Sequence, residues 1–405
     1  MKAIVSLNAG SSSIKFSLFV LERSGDGGAS EFRLSAGGKI EKIGIAPTLL
    51  ARSVEGETLL ERSWPDGAAL THADLLADLF AWAADHPLVG REIIAIGHRV
   101  VHGGTQFAAP LLIDAPLLDT LEALCPLAPL HQPHNLAAIR AIAALQPDLP
   151  QVACFDTGFH HDKPEIASRF AIPRALHDQG IRRYGFHGLS YEYIARRLAE
   201  VDPDLATGRV VAAHLGNGAS LCAMQAGKSV DTTMGFTALD GLMMGTRCGS
   251  IDPGVVLHLQ TQLGMSPTEV ENLFYKKSGL LGVSGVSSDM RTLAASDAPE
   301  AAEAIELFAW RAARETAALV ASLGGIDGIV FTAGIGENDA DIRSAICHRL
   351  AWLGITLDEI ANTGNEPRIS MSDSPVKVLV IPTDEEHMIA LHTLKVIGKN
   401  RGDIS

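Results

Sequence analysis

Twice along the 405 residues an apolar run stops at a glycine-containing tight turn and resumes as a second apolar run. The first instance is AIVSL (3–7), then NAGSSS, then IKFSLFV. The second is RVVAAHL (209–215), then GNGAS, then LCAMQAG. Each reads as a strand, a tight turn and a returning strand. A P-loop or dinucleotide-binding unit opens differently, as strand, loop and helix. The recurrence in both halves points to a duplicated unit, and the length leaves room for two or three domains at about 150 residues each.

Strands and helices alternate along the rest of the chain, which favours α/β architecture. Residues 71–84 predict an amphipathic helix begun by Thr71, with Leu75, Leu76, Leu79 and Phe80 on one face. Strands are expected at 92–104, running into a glycine-rich loop, and at 149–156, with further sheet and turns over 22–70. In the second half, 301–323 predicts a long helix closed by Gly324 and Gly325. IDGIVF (326–331) reads as a strand, TAGIGEN as a glycine turn, and DADIRSAICHRLAWL as a helix closed by Gly354. VKVLVIP (376–382) is the last strand. TDEEHMIALHTLKVI is the final helix, where Thr383 and Glu386 fit a capping box. No low-complexity linker interrupts the chain, so two domains are expected to pack around a cleft.

The charge balance narrows the partners. Lysine and arginine number 33 against 47 aspartate and glutamate, a formal charge of −14. This argues against a broad nucleic-acid or anionic-membrane surface, while a few arginines can still form a local cleft for a small anion. The five cysteines (Cys125, Cys154, Cys222, Cys248, Cys347) are an odd, scattered set with no C-x-x-C pair, unlike a disulfide framework or structural zinc site. The first apolar run is too short for a signal h-region, and no 18-residue apolar stretch occurs. A cytoplasmic protein is expected.

Known phosphate motifs are incomplete. GKS at 227–229 would need a glycine where Cys222 stands, and G-x-G-x-x-G fails at Leu221. What remains is three glycine-rich turns directly after apolar strands: NAGSSS, HLGNG and AGIGEN. Glycine lets backbone amides approach an oxyanion closely, so the three turns together suggest a nucleotide cradle. Four polar residues also lie in glycine-rich loops: Arg99 in GHRVVHGG, Asp156 in FDTGFH, His187 in RYGFHG and Arg247 in MMGTRCG. Polar residues in such loops are candidates for function. The pairs His98/His102 and His131/His134 lack a third ligand at sensible spacing and read as structural histidines.

The blocks SLNAGSSSIKF, GHRVVHGG, FDTGFH, RYGFHG, HLGNGAS, MMGTR, SSDMR, AGIGEN and PTDEE occur in that order. In this the chain resembles the acetate kinase family, of the acetate and sugar kinase/Hsp70/actin superfamily, over nearly its whole length. The resemblance implies a duplicated ribonuclease-H-like, actin/Hsp70-type two-domain fold with a central cleft. The expected domains are residues 1–150 closed by 386–405, and a nucleotide-binding domain over 151–385. It implies an ATP:acetate phosphotransferase, making acetyl phosphate and ADP reversibly, usually as a homodimer with Mg2+ (Mn2+ as a substitute). A propionate or butyrate kinase is the near alternative, and a nucleotide-gated module without transferase activity the distant one.

The same resemblance assigns roles. Asp156, His187 and Arg247 would be catalytic. Arg99 would bind the carboxylate and the transferring phosphoryl group, and Val101, Leu130, Phe186 and Ala238 would form the acyl pocket. Lys15 would lie near phosphate, and His214, Leu215, Gly216, Asn217 and Gly218 would cradle it. Asp289, Met290 and Arg291, with Gly334, Ile335, Gly336, Glu337 and Asn338, would surround the adenosine. Asn8 and Glu385 would serve the metal, Glu385 being preferred because Glu386 is expected in the cap. No nucleic-acid or membrane partner is implied.

The residue types suit phosphoryl transfer, where catalysis is mostly positioning and charge neutralisation. Arginine forks match carboxylate and phosphate. Acetate is already ionised at neutral pH and needs no general base, so Asp156 is expected to orient an arginine or the metal. The chain departs from the family pattern at Ala238, where proline is usual, and at Gln132, His134, Cys248, Ser250 and Asp384. The loss of proline loosens the expected restriction to acetate.

Overall fold

The first tight turn forms as its composition predicts. β1 (Lys2–Ala9) turns through Gly10, whose N–H donates to Ser13 O at 2.7 Å, into antiparallel β2 (Ile14–Glu22). The computed structural model describes residues 2–22, 31–85, 92–129 and 131–400. Meandering hairpins add β3 (Glu31–Glu41), β4 (Thr48–Ser53) and β5 (Thr58–Ser63) beyond β2. On the other side β6 (Glu92–Val100) pairs parallel with β1, and β8 (Gln151–Phe155) pairs parallel with β6. The two-residue β7 (Leu111–Leu112) closes that edge, giving the order β5-β4-β3-β2-β1-β6-β8-β7.

The second half repeats the centre of this sheet. β9 (Arg209–Leu215), β10 (Ala219–Gln225) and β11 (Lys228–Thr232) form an antiparallel meander. β12 (Gly328–Thr332) and β13 (Lys377–Val380) then add in parallel, giving β11-β10-β9-β12-β13. Strands β3-β2-β1-β6-β8 and β11-β10-β9-β12-β13 therefore match in order and polarity. The duplicated unit read from the two turns is real, and the eight-stranded sheet differs only by its appended edges.

Helices cover both faces of each sheet. On the first, Leu75, Leu76 and Leu79 of the helix His72–Asp85 pack with Ile142 of Gln132–Leu145 against Leu7, Ile14 and Ile96. The helix Glu385–Asn400 lies against β1, β6 and β8. It approaches Gly97 so closely that a Cβ there would sit 2.5 Å from Ile389 Cγ2. On the second sheet, Tyr191, Ile194 and Leu198 of the helix Gly188–Val201 pack against Val210, Ala212 and Cys222. The long helix Pro299–Leu323 packs along β9, β10 and β11 and ends at Gly324, in the left-handed region at φ 68°. β8 and β12 are buried at every position, as expected of strands covered on both faces.

The chain divides into two compact units, Met1–Gly158 with Asp384–Ser405, and Phe159–Thr383. The expected boundary at 150/151 would have cut β8 from its partner β6; the division instead follows that strand. Two local expectations change. AGIGEN is itself a short helix, Ala333–Asn338, followed by a separate helix at Ala340–Arg349. The last helix is capped by Asp384, whose Oδ1 accepts from His387 N–H at 2.8 Å, and not by Thr383 with Glu386. Aspartate is a strong cap in its own right, and the Thr383 N–H is taken by Glu337 Oε1 at 3.1 Å.

Candidate active site

Ligands of open α/β sheets bind at the carboxyl ends of the strands. At that end of the first sheet, Asn8 faces Lys15 across the hairpin. Extending the Leu7–His98 register by one residue brings Arg99 beside Asn8, and Asp156 follows β8 directly. Arg99 Nη1 donates to Asn8 Oδ1 at 3.3 Å, and its Nε donates to Asp156 Oδ2 at 3.0 Å; Nη2 adds a second bond to that oxygen. Glu385, the first residue of its helix, brings Oε2 to 3.8 Å from Arg99 Nε. Four predicted residues (Asn8, Arg99, Asp156, Glu385) thus form one cluster, with Lys15 adjoining.

The Arg99 side chain is 17% exposed and that of Asp156 is fully buried. Burial opposes charge on Arg99, yet Asp156 and Glu385 hold its pKa above the ordinary value. Burial pushes Glu385 above the usual carboxylate range; Arg99 pulls it back, while Asp156 and Glu386 push it up. Asp156 Oδ1 is buried without a hydrogen-bond partner, an arrangement that calls for explanation. Together with Glu385 and the Asn8 amide it offers the hard oxygen donors that a divalent cation of the magnesium type takes. Among the described residues, no group of three or more His, Cys, Asp or Glu is arranged to hold a metal. Two carboxylates suit a cation that keeps several of its waters.

Sequence reasoning missed the residues that brace this end. Asn135 donates from Nδ2 to Ala9 O at 2.6 Å and accepts the Val101 N–H at 3.0 Å, tying the end of β1 to the loop after β6. Gln132 grips the same loop through both the N–H and the carbonyl of His102. Two buried amides three residues apart on one helix are the signal that marks them. Val101 is itself buried, and Leu130 lies outside the described residues. His98 Nε2 bonds Gln151 Oε1 at 2.7 Å and His102 Nδ1 accepts the Gly104 N–H at 2.9 Å, so both are structural.

The matching end of the second sheet is built from stacked imidazoles, hydroxyls and glycine, with Arg247 at its border. His187 precedes the helix Gly188–Val201 with φ 57°, an uncommon conformation for a residue bearing a side chain. Its ring stacks on His214 with centroids 4.2 Å apart, and Nδ1 bonds Ser220 Oγ at 2.8 Å. Tyr191 OH holds the same Ser220 oxygen at 2.6 Å; His214 Nδ1 bonds Ser190 Oγ at 2.8 Å, and Ser190 in turn bonds Thr383. Gly218 sits beside this stack: a Cβ there would lie 3.3 Å from His187 Nε2 and 3.7 Å from Arg247 Nη2. Glycine therefore leaves open the space that His187 and Arg247 border. Arg247 Nη1 donates to Ala238 O at 2.7 Å, and Phe186 is buried beside His187.

The adenosine candidates adjoin the same turn. A Cβ on Gly216 would be 3.9 Å from Gly334 N, and one on Gly245 would be 3.1 Å from Ser288 O; Gly245 N–H donates to Asn217 O. Glu337 is turned inward: Oε1 accepts the N–H groups of Ala333 and Thr383. Asn338 donates to Gly334 O, and Met290 is buried. In these segments the side chains of Glu337 and Asn338 are turned onto their own backbone. Asp289 caps its helix and pairs with Arg291, whose hydrogen bond lowers the Asp289 pKa to about 2. Arg343, fully buried, donates to Gly336 O and Glu337 O and braces the AGIGEN turn; nothing in its helical surroundings marked it.

Two sheets of matching order, each carrying polar loops at its carboxyl end, define the duplicated ribonuclease-H-like architecture of the actin/Hsp70 class. Within that class the chain belongs to the acetokinase family, whose profile matches residues 3–391. The family consists of kinases, phosphotransferases that in general work with a divalent metal. The acetate kinase of Rhodopseudomonas palustris is 52% identical over 398 residues, 98% of each chain. The solved propionate kinase of Francisella tularensis is 39% identical with a TM-score of 0.88, covering 98% of this chain and all of that one. The acetate kinase of Porphyromonas gingivalis is 37% identical with a TM-score of 0.86 at the same coverage. No helix among the described residues is long and apolar enough to cross a membrane.

Proposed function

We propose that the chain transfers the γ-phosphoryl group of ATP to acetate by direct in-line attack, giving acetyl phosphate and ADP reversibly. The observation that carries this reading is the Arg99–Asp156 pair, with Glu385 beside it and the buried, unpartnered Asp156 Oδ1. An ionised acetate oxygen attacks without a base, so Asp156 has no proton to remove. Its work is to hold the Arg99 guanidinium in place and to present an oxygen for the cation. Asn8, Asp156 and Glu385 would hold Mg2+, with Mn2+ as a substitute; when bound, the ion offsets phosphate charge. Arg247 and His187, both bordering Gly218, neutralise charge on the equatorial oxygens in transfer. Lys15, His214 to Gly218, Asp289 to Arg291 and Gly334 to Asn338 bind the nucleotide. Arg99, Val101, Leu130, Phe186 and Ala238 receive the acid.

Trapping with hydroxylamine tests the reading. Enzyme, ATP, Mg2+ and acetate should yield acetohydroxamate and ADP in equal amounts; ADP without hydroxamate would refute it. A specific observation favours propionate as a second substrate: Ala238 is smaller than the family's usual proline, and the similar Francisella protein is a propionate kinase. We also assign the chain to the cytoplasm as a homodimer. Among the described residues no disulfide forms. The apolar helix Pro253–Thr261 buries none of its residues, and Leu257 and Leu263 are each 62% exposed, an apolar surface of the kind that pairs with another copy. Leu257→Glu should convert the sedimenting species from dimer to monomer, and a wild-type monomer would rule the dimer out.

A further inference from the structure

Lys163 is buried, 7% exposed, on a loop that the proposed reaction does not use. Lysine is almost never buried without a partner, and among the described residues no carboxylate lies in hydrogen-bond reach of this one. Its Nζ donates instead to three backbone carbonyls: Arg183 O at 2.8 Å, Tyr184 O at 2.8 Å and His160 O at 3.4 Å. His160, fully buried, completes the grip. Its Nε2–H donates to Phe186 O at 2.9 Å while Nδ1 accepts from Ser229 Oγ at 2.8 Å. The carbonyls of residues 183, 184 and 186 are therefore all held by side chains from 160–163. Between them Gly185, at φ 93°, passes so near His160 that a Cβ would lie 2.7 Å from its ring. Phe186 is followed by His187, in its left-handed conformation. Regular secondary structure does not hold this segment: its N–H groups at 183–185 donate to Ser168 O and Gly235 O, and its carbonyls are held by the two side chains.

We infer that Lys163 is a positioning residue for His187: by fixing the Arg183–Tyr184 backbone it keeps the imidazole stacked on His214 and beside Gly218. The role of His187 in phosphoryl transfer rests on the proposed function; the clamp itself rests on geometry within one unit. The clamp is also titratable. Burial lowers the Lys163 pKa to about 8, as do Arg182 and Arg183, while Asp231 and Cys222 oppose them. Burial pushes the Cys222 thiol up to about 12 and His160 down to about 3, so both stay neutral. Arg183 is itself paired with Asp240 at 3.3 Å, and the Tyr184 hydroxyl is turned away to Gly180 O. As the pH rises through 8, the ammonium becomes an amine with two donors for three carbonyls, and one carbonyl is left unpaired. The sign is thus a loss of order at His187 on the alkaline side.

Two readouts on the full chain test this. The first is the kcat profile of wild type and Lys163→Met. Wild-type kcat should fall along an alkaline limb centred near pH 8. In Lys163→Met, kcat at pH 7 should drop about tenfold with the ATP KM changed less than about twofold, and the limb should vanish. The second needs neither turnover nor a variant. In 15N-histidine-labelled wild type, the His187 imidazole resonances should shift or broaden between pH 7 and 9. Unchanged His187 resonances across that range would overturn the clamp, and so would an alkaline limb retained in Lys163→Met. If wild type phosphorylates no carboxylic acid, the proposed function fails, and the histidine resonances still decide the clamp. If Lys163→Met does not fold, the wild-type resonances decide it alone.

Discussion

The two sheets share one topology and carry opposite chemistry at their carboxyl ends. In the first, Asn8, one residue before the end of β1, stands opposite Lys15, the neighbouring strand brings Arg99, and Asp156 and Glu385 complete a charged cluster. In the second, His214, one residue before the end of β9, stands opposite Ser220, the neighbouring strand brings Thr332, and Thr383 stands where the first sheet has Asp156. Hydroxyls and stacked imidazoles replace carboxylates and a guanidinium. Duplication thus preserved the scaffold while the side chains diverged. On the proposed function, the charged end would hold the cation, and the glycine-lined end, bordered by Arg247, would meet the nucleotide.

If that division holds, Asp156→Asn should give the largest effect. It keeps the shape but removes the charge that holds Arg99, so kcat should fall about a thousandfold. Calorimetry should find ADP affinity unaltered; a comparable loss of ADP binding would merge the two roles. Arg247→Ala sharpens the comparison, because Arg247 is the cation that borders Gly218 in the second unit. Its kcat should fall about a hundredfold with the ATP KM little changed, and a rise in ATP KM alone would place it with the nucleotide instead.

Both units also bury neutral histidines, so acid should weaken them alike. Burial lowers His98 from 6.5 to about 4 in the first unit, and His160 to about 3 in the second. The unfolded chain binds a proton on His98 below 6.5 that the folded chain refuses until about 4. Stability is therefore full above pH 6.5 and falls as the pH drops toward 4. The loss from His98 alone is about 3 kcal/mol. Urea titrations from pH 7 to 4 should show this slope, and His98→Asn should flatten it; an unchanged slope would assign the acid sensitivity elsewhere.

The smallest effect concerns acyl length. Ala238→Pro should lower kcat/KM for propionate relative to acetate by roughly tenfold, the discrimination expected for one methylene. A ratio that does not fall would show that this position does not set acyl length.

The duplicated scaffold was legible because hairpin turns and continuous apolar runs are local signals. Arg99 and Asp156 were legible because they sit at strand ends near glycine, and Asn8 through the family resemblance. The bracing residues were not. Asn135, Gln132, Arg343 and Lys163 act through backbone carbonyls and amides distant in sequence, and no local pattern records which carbonyl a buried donor reaches. The capping error has the same origin. Thr383 and Glu386 have capping-box spacing, but the Thr383 N–H is claimed by Glu337, 46 residues earlier. The helix then takes Asp384 as its cap. AGIGEN was read as a turn from its glycines, yet Arg343 donates to two of its carbonyls and helps it close into a helical turn.

The central claim is that the charged end of the first sheet moves a phosphoryl group between a carboxylate and a nucleotide. The most direct measurement runs the reaction backwards. Acetyl phosphate, ADP and Mg2+ are mixed with wild type or with Asp156→Asn and followed by 31P NMR. The account predicts that the ATP γ-phosphate resonance grows as acetyl phosphate disappears with wild type, and that Asp156→Asn leaves both nearly constant. Release of inorganic phosphate without ATP, or ATP formation undiminished in Asp156→Asn, would contradict it.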